Sequence, residues 1–324
     1  MNWKSILCLA GILALASVAP FAVGTYSVEV LILFLINLIL VSSYRLITTT
    51  GDWSLSHIVL MGSGAYATAL ISKWWDLSIL LTVPLSAAVA AVVGLIVVTP
   101  LLRTKGFGFF IASFALGELI RLCWVKFRDP FGGPRGMIGI PSGELGTIDF
   151  FEPIPYYYFV LAIAALCLLF LYRLDRSRVG KTFKAIYTDE GLAESLGIHV
   201  QRYRAMAFVT GTFFAGVAGS LLAHRLGAID PKNFDINTMV YLIIWVVVGG
   251  TQTFWGPLIG LSVMTIVFEW TRPLLEWRPL LFGGILIFFL IFQPSGLEGL
   301  LLKAKERFTG RAKSPPAREA AAEG

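Results

Sequence analysis

Apolar residues run along this chain in long blocks, with neither the alternation of a half-buried strand nor the single stripe of a surface helix. The blocks lie at residues 5–23, 28–48, 53–72, 77–99, 107–125, 156–172, 204–223, 239–250, 255–271 and 279–293, separated by polar or Gly/Pro-rich connectors. About 20 apolar residues are needed to cross a bilayer as a helix. The pattern therefore predicts an all-α polytopic membrane protein of about ten transmembrane or re-entrant helices. Blocks 239–250 and 255–271 are shorter than a full span, and block 53–72 carries Gly62 and Gly64 and follows Gly51. Broken backbone at membrane depth is tolerated only when it is buried in protein or lines a wet cavity. These three blocks are accordingly candidates for the translocation pathway.

An internal echo points the same way. Gly51-Asp52-Trp53 opens a segment containing Gly62 and Gly64, and Gly250-Thr251-Gln252 opens one containing Gly256 and Gly260. Paired glycine-interrupted segments suggest a pseudo-repeated transporter core, although glycines also simply let membrane helices approach closely. Block 5–23 has a small-residue Ser17-Val18-Ala19 site like that of a signal peptide. Its length, the Pro20 that follows and the further spans favour a retained first helix.

Charge distribution orients the bundle. Of 26 Lys and Arg, seven lie within residues 173–204 and six within 303–318, flanking apolar blocks as cytoplasmic loops do. Ten crossings put both termini on one side, which the basic tail makes the cytoplasm. Loop 173–204 then falls inside, and loop 126–155 and residues 225–238 outside. Residues 1–300 form one transmembrane domain, and 301–324, with Pro315-Pro316 and mixed charges, are expected to be a disordered cytoplasmic tail.

Composition changes little of this picture and excludes much else. The chain is 56% hydrophobic and 14% charged, against about 25% charged in a soluble domain, which leaves no room for a large soluble catalytic domain. The net charge of +6 is concentrated at span ends, so it argues for a membrane partner and against nucleic acid. Cys8, Cys123 and Cys167 fall singly in or beside apolar blocks and read as packing residues.

Few residues carry chemistry. Val179-Gly180-Lys181-Thr182 looks like the end of a phosphate-cradling loop, but Asp175 stands where its first glycine belongs. His57, His199 and His224 are scattered without metal-ligand spacing, and no nucleophile motif occurs. No metal, no bound cofactor and no catalytic residue are expected. Glu118 and Arg121 share a helix face within a span, either as a functional pair or as an arginine snorkelling beside its local partner. The outer loop carries Gly132, Gly133, Pro134, Arg135, Gly136, Gly139 and Pro141, too dense in Gly and Pro for regular structure. In the inner loop Thr188 can cap a helix of about two turns starting at Asp189 and Glu190 and closing at Gly197, suited to pushing on a partner.

Together these segments resemble the permeases of branched-chain amino acid ATP-binding-cassette importers, of the LivM type, from about residue 28 to 300. Gly51, Ser54-Leu55-Ser56-His57 and Gly62-Ser63-Gly64-Ala65-Tyr66 are similar to the family's GxxSLGHxxFxGxGAY segment, with Ser56 replacing its usual Gly. Gly117-Glu118-Leu119-Ile120-Arg121-Leu122 is similar to GEIIRL, and residues 132–141 to GGPNGLxGIP, with Arg135 for Asn. Asp189-Glu190 with Ala193-Glu194-Ser195-Leu196-Gly197-Ile198 resembles DExxAEALGI, the family's coupling helix. Val248-Gly249-Gly250 with Trp255-Gly256-Pro257, and Gln293-Pro294-Ser295-Gly296-Leu297, resemble LGGxGxxxGPxxG and RPxGL, with Gln293 for Arg.

The resemblance implies a non-enzymatic subunit of the bacterial inner membrane. Its partners would be a homologous second permease, two cytoplasmic ATPases that use the ATP, and a periplasmic binding protein. Asp189, Glu190, Ala193, Glu194, Gly197 and Ile198 would couple to the ATPase. Gly51, Ser54, Ser56, His57, Gly62, Gly64, Glu118, Arg121, Gly250 and Gly256 would border the pathway. The departures at Ser56 and Arg135 leave the solute open between branched-chain amino acids and urea or short amides. An ion-coupled carrier would need acids or histidines in several spans, where Glu118 stands nearly alone. A membrane-embedded enzyme would need a clustered nucleophile or metal site.

Overall fold

The computed structural model of the chain describes Pro20 and residues 24–300, apart from 76, 146–147 and 294. The expected first helix at 5–23, Pro20 excepted, and the expected tail at 301–324 lie outside the described residues. In chain order the helices are α1 (Thr25–Thr48), α2 (His57–Trp75), α3 (Ile79–Leu101), α4 (Phe107–Lys126), α5 (Pro153–Arg176) and α6 (Arg178–Thr188). There follow α7 (Glu190–Ser195), α8 (Val200–Leu226), α9 (Ile236–Gly249), α10 (Gly256–Trp270) and α11 (Arg278–Phe292). Four two-residue strands, β1 (Met137–Ile138), β2 (Glu144–Leu145), β3 (Ile148–Asp149) and β4 (Ala228–Ile229), lie in the connectors. The protein is all-α and polytopic.

Helices α1, α3, α4, α5 and α8 are each long and apolar enough to cross a membrane. Helix α2 is also near full length at 19 residues, but residues 57–69 are all buried, so it runs through the interior of the bundle. It begins at His57, four residues later than the apolar pattern predicts. The polar groups of Asp52, Ser54 and Ser56 take hydrogen bonds there that a helix would not offer them. Helices α9, α10 and α11 have 14, 15 and 15 residues. At ~1.5 Å per residue they reach about 21–23 Å, short of a hydrocarbon core of ~30 Å.

Helix α8 is the axis of the bundle and packs along α1, α2 and α3. Small residues make this possible. A Cβ on Gly219 would lie 2.0 Å from the Met61 carbonyl oxygen, and one on Gly64 would lie 2.5 Å from Gly216 Cα. Where lipid tails are as apolar as the helices, such backbone contact supplies the packing that drives association. Helix α1 also packs on α5 and α10, and α9 lies against α10.

The connectors sort to two ends. At one end β1 pairs with β4, Arg225 pairs with Glu29, and the Tyr26 hydroxyl donates to Glu269 at 2.7 Å. At the other end residues 49–56, 102–106, 173–199, 250–255 and 295–300 meet through ion pairs and hydrogen bonds. This is the sorting that alternating crossings require.

Candidate functional site

At the end holding residues 173–204, α6 and α7 form a short helical hairpin. The caps differ from the sequence expectation in one residue. Thr188 closes α6, its hydroxyl donating to the Lys184 carbonyl, and Asp189 is the N-cap of α7, accepting from the Leu192 amide at 2.9 Å. Gly197, at φ +81°, ends α7, and the Ile198 amide reaches back to the Ala193 carbonyl at 3.1 Å. That bond is the signature of a Schellman C-cap. A six-residue helix is thus fixed at both ends.

Its faces are also fixed. Ala193 is 2% exposed and packs with Ile186 and Val200, so it turns into the hairpin. Leu192 and Leu196 are 59% and 74% exposed, and Glu194 is exposed beside them. Single apolar residues on a surface are ordinary, and here two stand on one capped turn, rimmed by carboxylates. The sequence reading missed both leucines, because six residues are too few for periodicity to orient a helix.

Charges bind the hairpin to the bundle. Asp175 accepts from Arg45 Nη1 at 3.0 Å and from Lys184 Nζ at 3.0 Å. Arg204 grips both oxygens of Asp52, with its Nε 2.7 Å from Oδ2, and Lys105 Nζ lies 2.9 Å from Glu190 Oε1. Arg45, Asp52, Asp175 and Arg204 are all buried. A cavity of about 310 Å³, lined by Gly51, Lys105, Tyr187, Asp189 and Glu190 among others, separates the hairpin from the end of α1. No local pattern announces the buried pairs Arg45–Asp175 and Asp52–Arg204, whose members lie 130 and 152 residues apart. The signal present in the sequence was Arg45, a charge near the end of an apolar block.

The pathway candidates divide between two breaks and the bundle interior. Gly51 and Gly250 have φ of +92° and +94°, a region that favours glycine. Ser54 and Ser56 lie 2.8 Å apart, Oγ to Oγ, and the Ser56 Cβ faces the space that the missing side chain of Gly117 leaves. His57 is wholly buried, with Nε2 3.0 Å from Ser43 Oγ. The same Ser43 hydroxyl lies 2.7 Å from the Leu40 carbonyl oxygen. Gly62 and Gly64 lie in helix contacts, against Trp124 and Phe234 and against Gly216 respectively. Gly256 adjoins the buried carboxylate of Glu298, which accepts from the Thr253 amide at 3.0 Å. Glu118 and Arg121 form a bidentate, half-buried pair along α4.

At the opposite end, loop 126–155 is built on glycines. Gly132, Gly133, Gly136 and Gly139 all have positive φ, and a Cβ on Gly136 would lie 1.9 Å from the Ile229 carbonyl oxygen. The loop is therefore stitched to the α8–α9 connector, an attachment completed by β1–β4 and by His224 Nδ1 at 2.8 Å from the Pro141 carbonyl. Pro134, Arg135, Ile138, Gly139 and Pro141 remain exposed, Ile138 at 81%. The result is a fixed ridge, not a slack connector.

Crossing helices packed on glycine, backbone breaks inside the bundle and a shaped surface at each end define a membrane permease subunit. The chain belongs to the family described as branched-chain amino acid transport system permease component, whose family model matches residues 26–292. It is 26% identical to the high-affinity branched-chain amino acid transport system permease protein LivM of Salmonella typhimurium, over 97% of this chain and 80% of that protein. To LivM of Escherichia coli it is 27% identical over 91% of this chain and 75% of that one. To the permease protein LivH of Salmonella typhimurium it is 28% identical over 50% of this chain and 52% of that one. No solved structure matches the chain.

Proposed function

We propose that the chain is one of two homologous permeases in an ATP-binding-cassette importer of branched-chain or related amino acids. It sits in the bacterial inner membrane with both termini cytoplasmic. Loop 126–155 faces the periplasm and receives the binding protein, and α7 docks in a groove of a partner ATPase, which binds and hydrolyses the ATP. The chain is not itself an enzyme. Likeness to both LivM and LivH supports a two-permease assembly, and the two basic stretches support the orientation.

The observation that carries the coupling role is α7 itself: capped at both ends, tied through Glu190 to Lys105, and presenting Leu192 and Leu196 outward. A docking helix must be rigid and must expose apolar surface. The two leucines would be the contacts with the ATPase, and Ala193 the residue that keeps the helix on its hairpin. Changing Leu192→Glu and Leu196→Glu together should abolish co-purification of the ATPases and stimulated ATP hydrolysis while membrane insertion stays normal. Unchanged co-purification and hydrolysis would move the coupling site elsewhere. Orientation is checked separately: a membrane-impermeant thiol reagent on intact spheroplasts should label a cysteine placed at Arg135 and spare one at Leu196.

A further inference from the structure

Between α1, α5 and α10 runs a crevice of about 350 Å³. Phe34, Leu38, Leu161 and Ile259 are on its walls, and Ala164 and Ala165 leave the space between them. Ser262, the one hydroxyl lining it, donates to the Leu258 carbonyl at 2.8 Å. Apart from Ser262 and the indole of Trp255 the lining side chains are apolar, and on α5 they run from Leu161 to Leu168.

The mouth near the 173–204 end is of a different character. Phe254 and Trp255 line it and pack on Tyr172 at ring distances of 5.4 and 6.1 Å. The Arg176 guanidinium lies 4.7 Å above the Tyr172 ring, and Arg173, Arg176 and Arg178 are exposed. Among the described residues Arg176 has no ion pair: Asp175 is held by Arg45 and Lys184, and the carboxylate of Glu298 is buried against the Thr253 amide. An aromatic platform with a cation on it, where an apolar crevice opens, matches the boundary between acyl chain and headgroup.

We propose that this crevice is a binding site for an anionic phospholipid of the cytoplasmic leaflet, one acyl chain between α1, α5 and α10 and the headgroup phosphate on Arg176. The leaflet assignment rests on the orientation proposed above. Lipid binding by purified protein does not depend on orientation, so the two can fail separately.

The test uses the assembled importer in detergent, delipidated and then titrated with phosphatidylglycerol or phosphatidylcholine of the same acyl chains, with bound lipid counted by native mass spectrometry. Phosphatidylglycerol should bind about 5-fold more tightly, the equivalent of ~1 kcal/mol for one basic residue at a charged lipid surface. Arg176→Gln, a change at an exposed position, should remove that preference and leave the weaker binding shared by both lipids. Ala165→Trp, which fills the crevice, should reduce the binding of both. Equal affinity of wild type for the two lipids, or an unchanged preference in Arg176→Gln, would overturn the proposal without reference to the folding of Ala165→Trp. Disulfide capture of a cysteine at Leu161 by the second permease would also overturn it, by showing that protein covers the crevice.

Discussion

At Gly51 the chain leaves the end of α1 with φ +92° and re-enters helix at His57; at Gly250 it leaves α9 with φ +94° and re-enters helix at Gly256. Beyond that likeness the two breaks are held differently. The first is bound to two long helices: Asp52 to Arg204 of α8, and the Leu55 amide to Ser113 Oγ of α4 at 2.9 Å. The second is bound to the segment just after α11, through Thr253 and Glu298 and through Gly250 against the Ser295 carbonyl. Glu298 is 3% exposed, and among the described residues its Oε1 has no hydrogen-bond partner. One break is locked at the axis of the bundle by a charge pair, and the other is held by the carboxylate of Glu298 and by the rings of Phe254 and Trp255 packed on Tyr172 of α5. The two breaks thus share a backbone feature and differ in the chemistry that holds them, a buried ion pair in the first and a lone carboxylate with aromatic packing in the second.

The largest expected effect is at the lock. Arg204→Ala leaves Asp52 buried and unpaired, and removing one partner of such a pair costs about 3–5 kcal/mol. Thermal unfolding in detergent should show a loss of that order, and a loss near zero would mean that water reaches the pair and that the first break is not locked.

Glycine replacement ranks next. Alanine at either glycine meets positive-φ backbone strain of roughly 1–3 kcal/mol. At Gly250 the new Cβ would also lie 2.7 Å from the Ser295 carbonyl oxygen, while at Gly51 the nearest atom is Tyr187 Cδ2 at 3.5 Å. Gly250→Ala should therefore destabilise more than Gly51→Ala, and the reverse order would contradict the packing assigned to the second break.

The smallest effect is at Glu298. Glu298→Gln keeps an oxygen to accept from Thr253, so its cost should not exceed about 1 kcal/mol. Glu298→Ala removes the acceptor. Hydrogen exchange should then quicken at residues 250–256 and not at 51–57. Equal acceleration at both would show that the breaks are coupled and would dissolve the distinction drawn between them.

Much of this arrangement is legible in the chain, because membrane helices announce themselves by length and composition. The blocks at 28–48, 107–125, 156–172 and 204–223 each lie within helices that extend a few residues further at one or both ends, and the helix of block 77–99 is displaced by two residues, to 79–101. The start of α2 was not legible, since Trp53 and Leu55 continue the apolar pattern while the serines and Asp52 between them set the backbone. The buried ion pairs Arg45–Asp175 and Asp52–Arg204 were hidden by sequence distance, whereas Glu118–Arg121, three residues apart, was legible. The face of α7 was hidden by brevity: Ala193 and Leu196 sit three residues apart, and only the packing against Ile186 and Val200 distinguishes inside from outside. The glycine pairs were visible, but not which of them opens a break and which brings two backbones together.

Helix α8 runs from Val200 to Leu226 without a proline. At ~1.5 Å per residue it is a strut about 40 Å long. Its first residues pack on the hairpin that carries α7, and its last lead into β4, which is stitched to the glycine ridge. A rod clamped at both surfaces cannot absorb a displacement within its own length. A load placed on the ridge by a docked protein would therefore reach the α7 end as a tilt or shift of the whole rod, with Gly64 and Gly219 carrying α2 along. Communication between the two faces would then travel through a stiff lever, with no relay of side chains required.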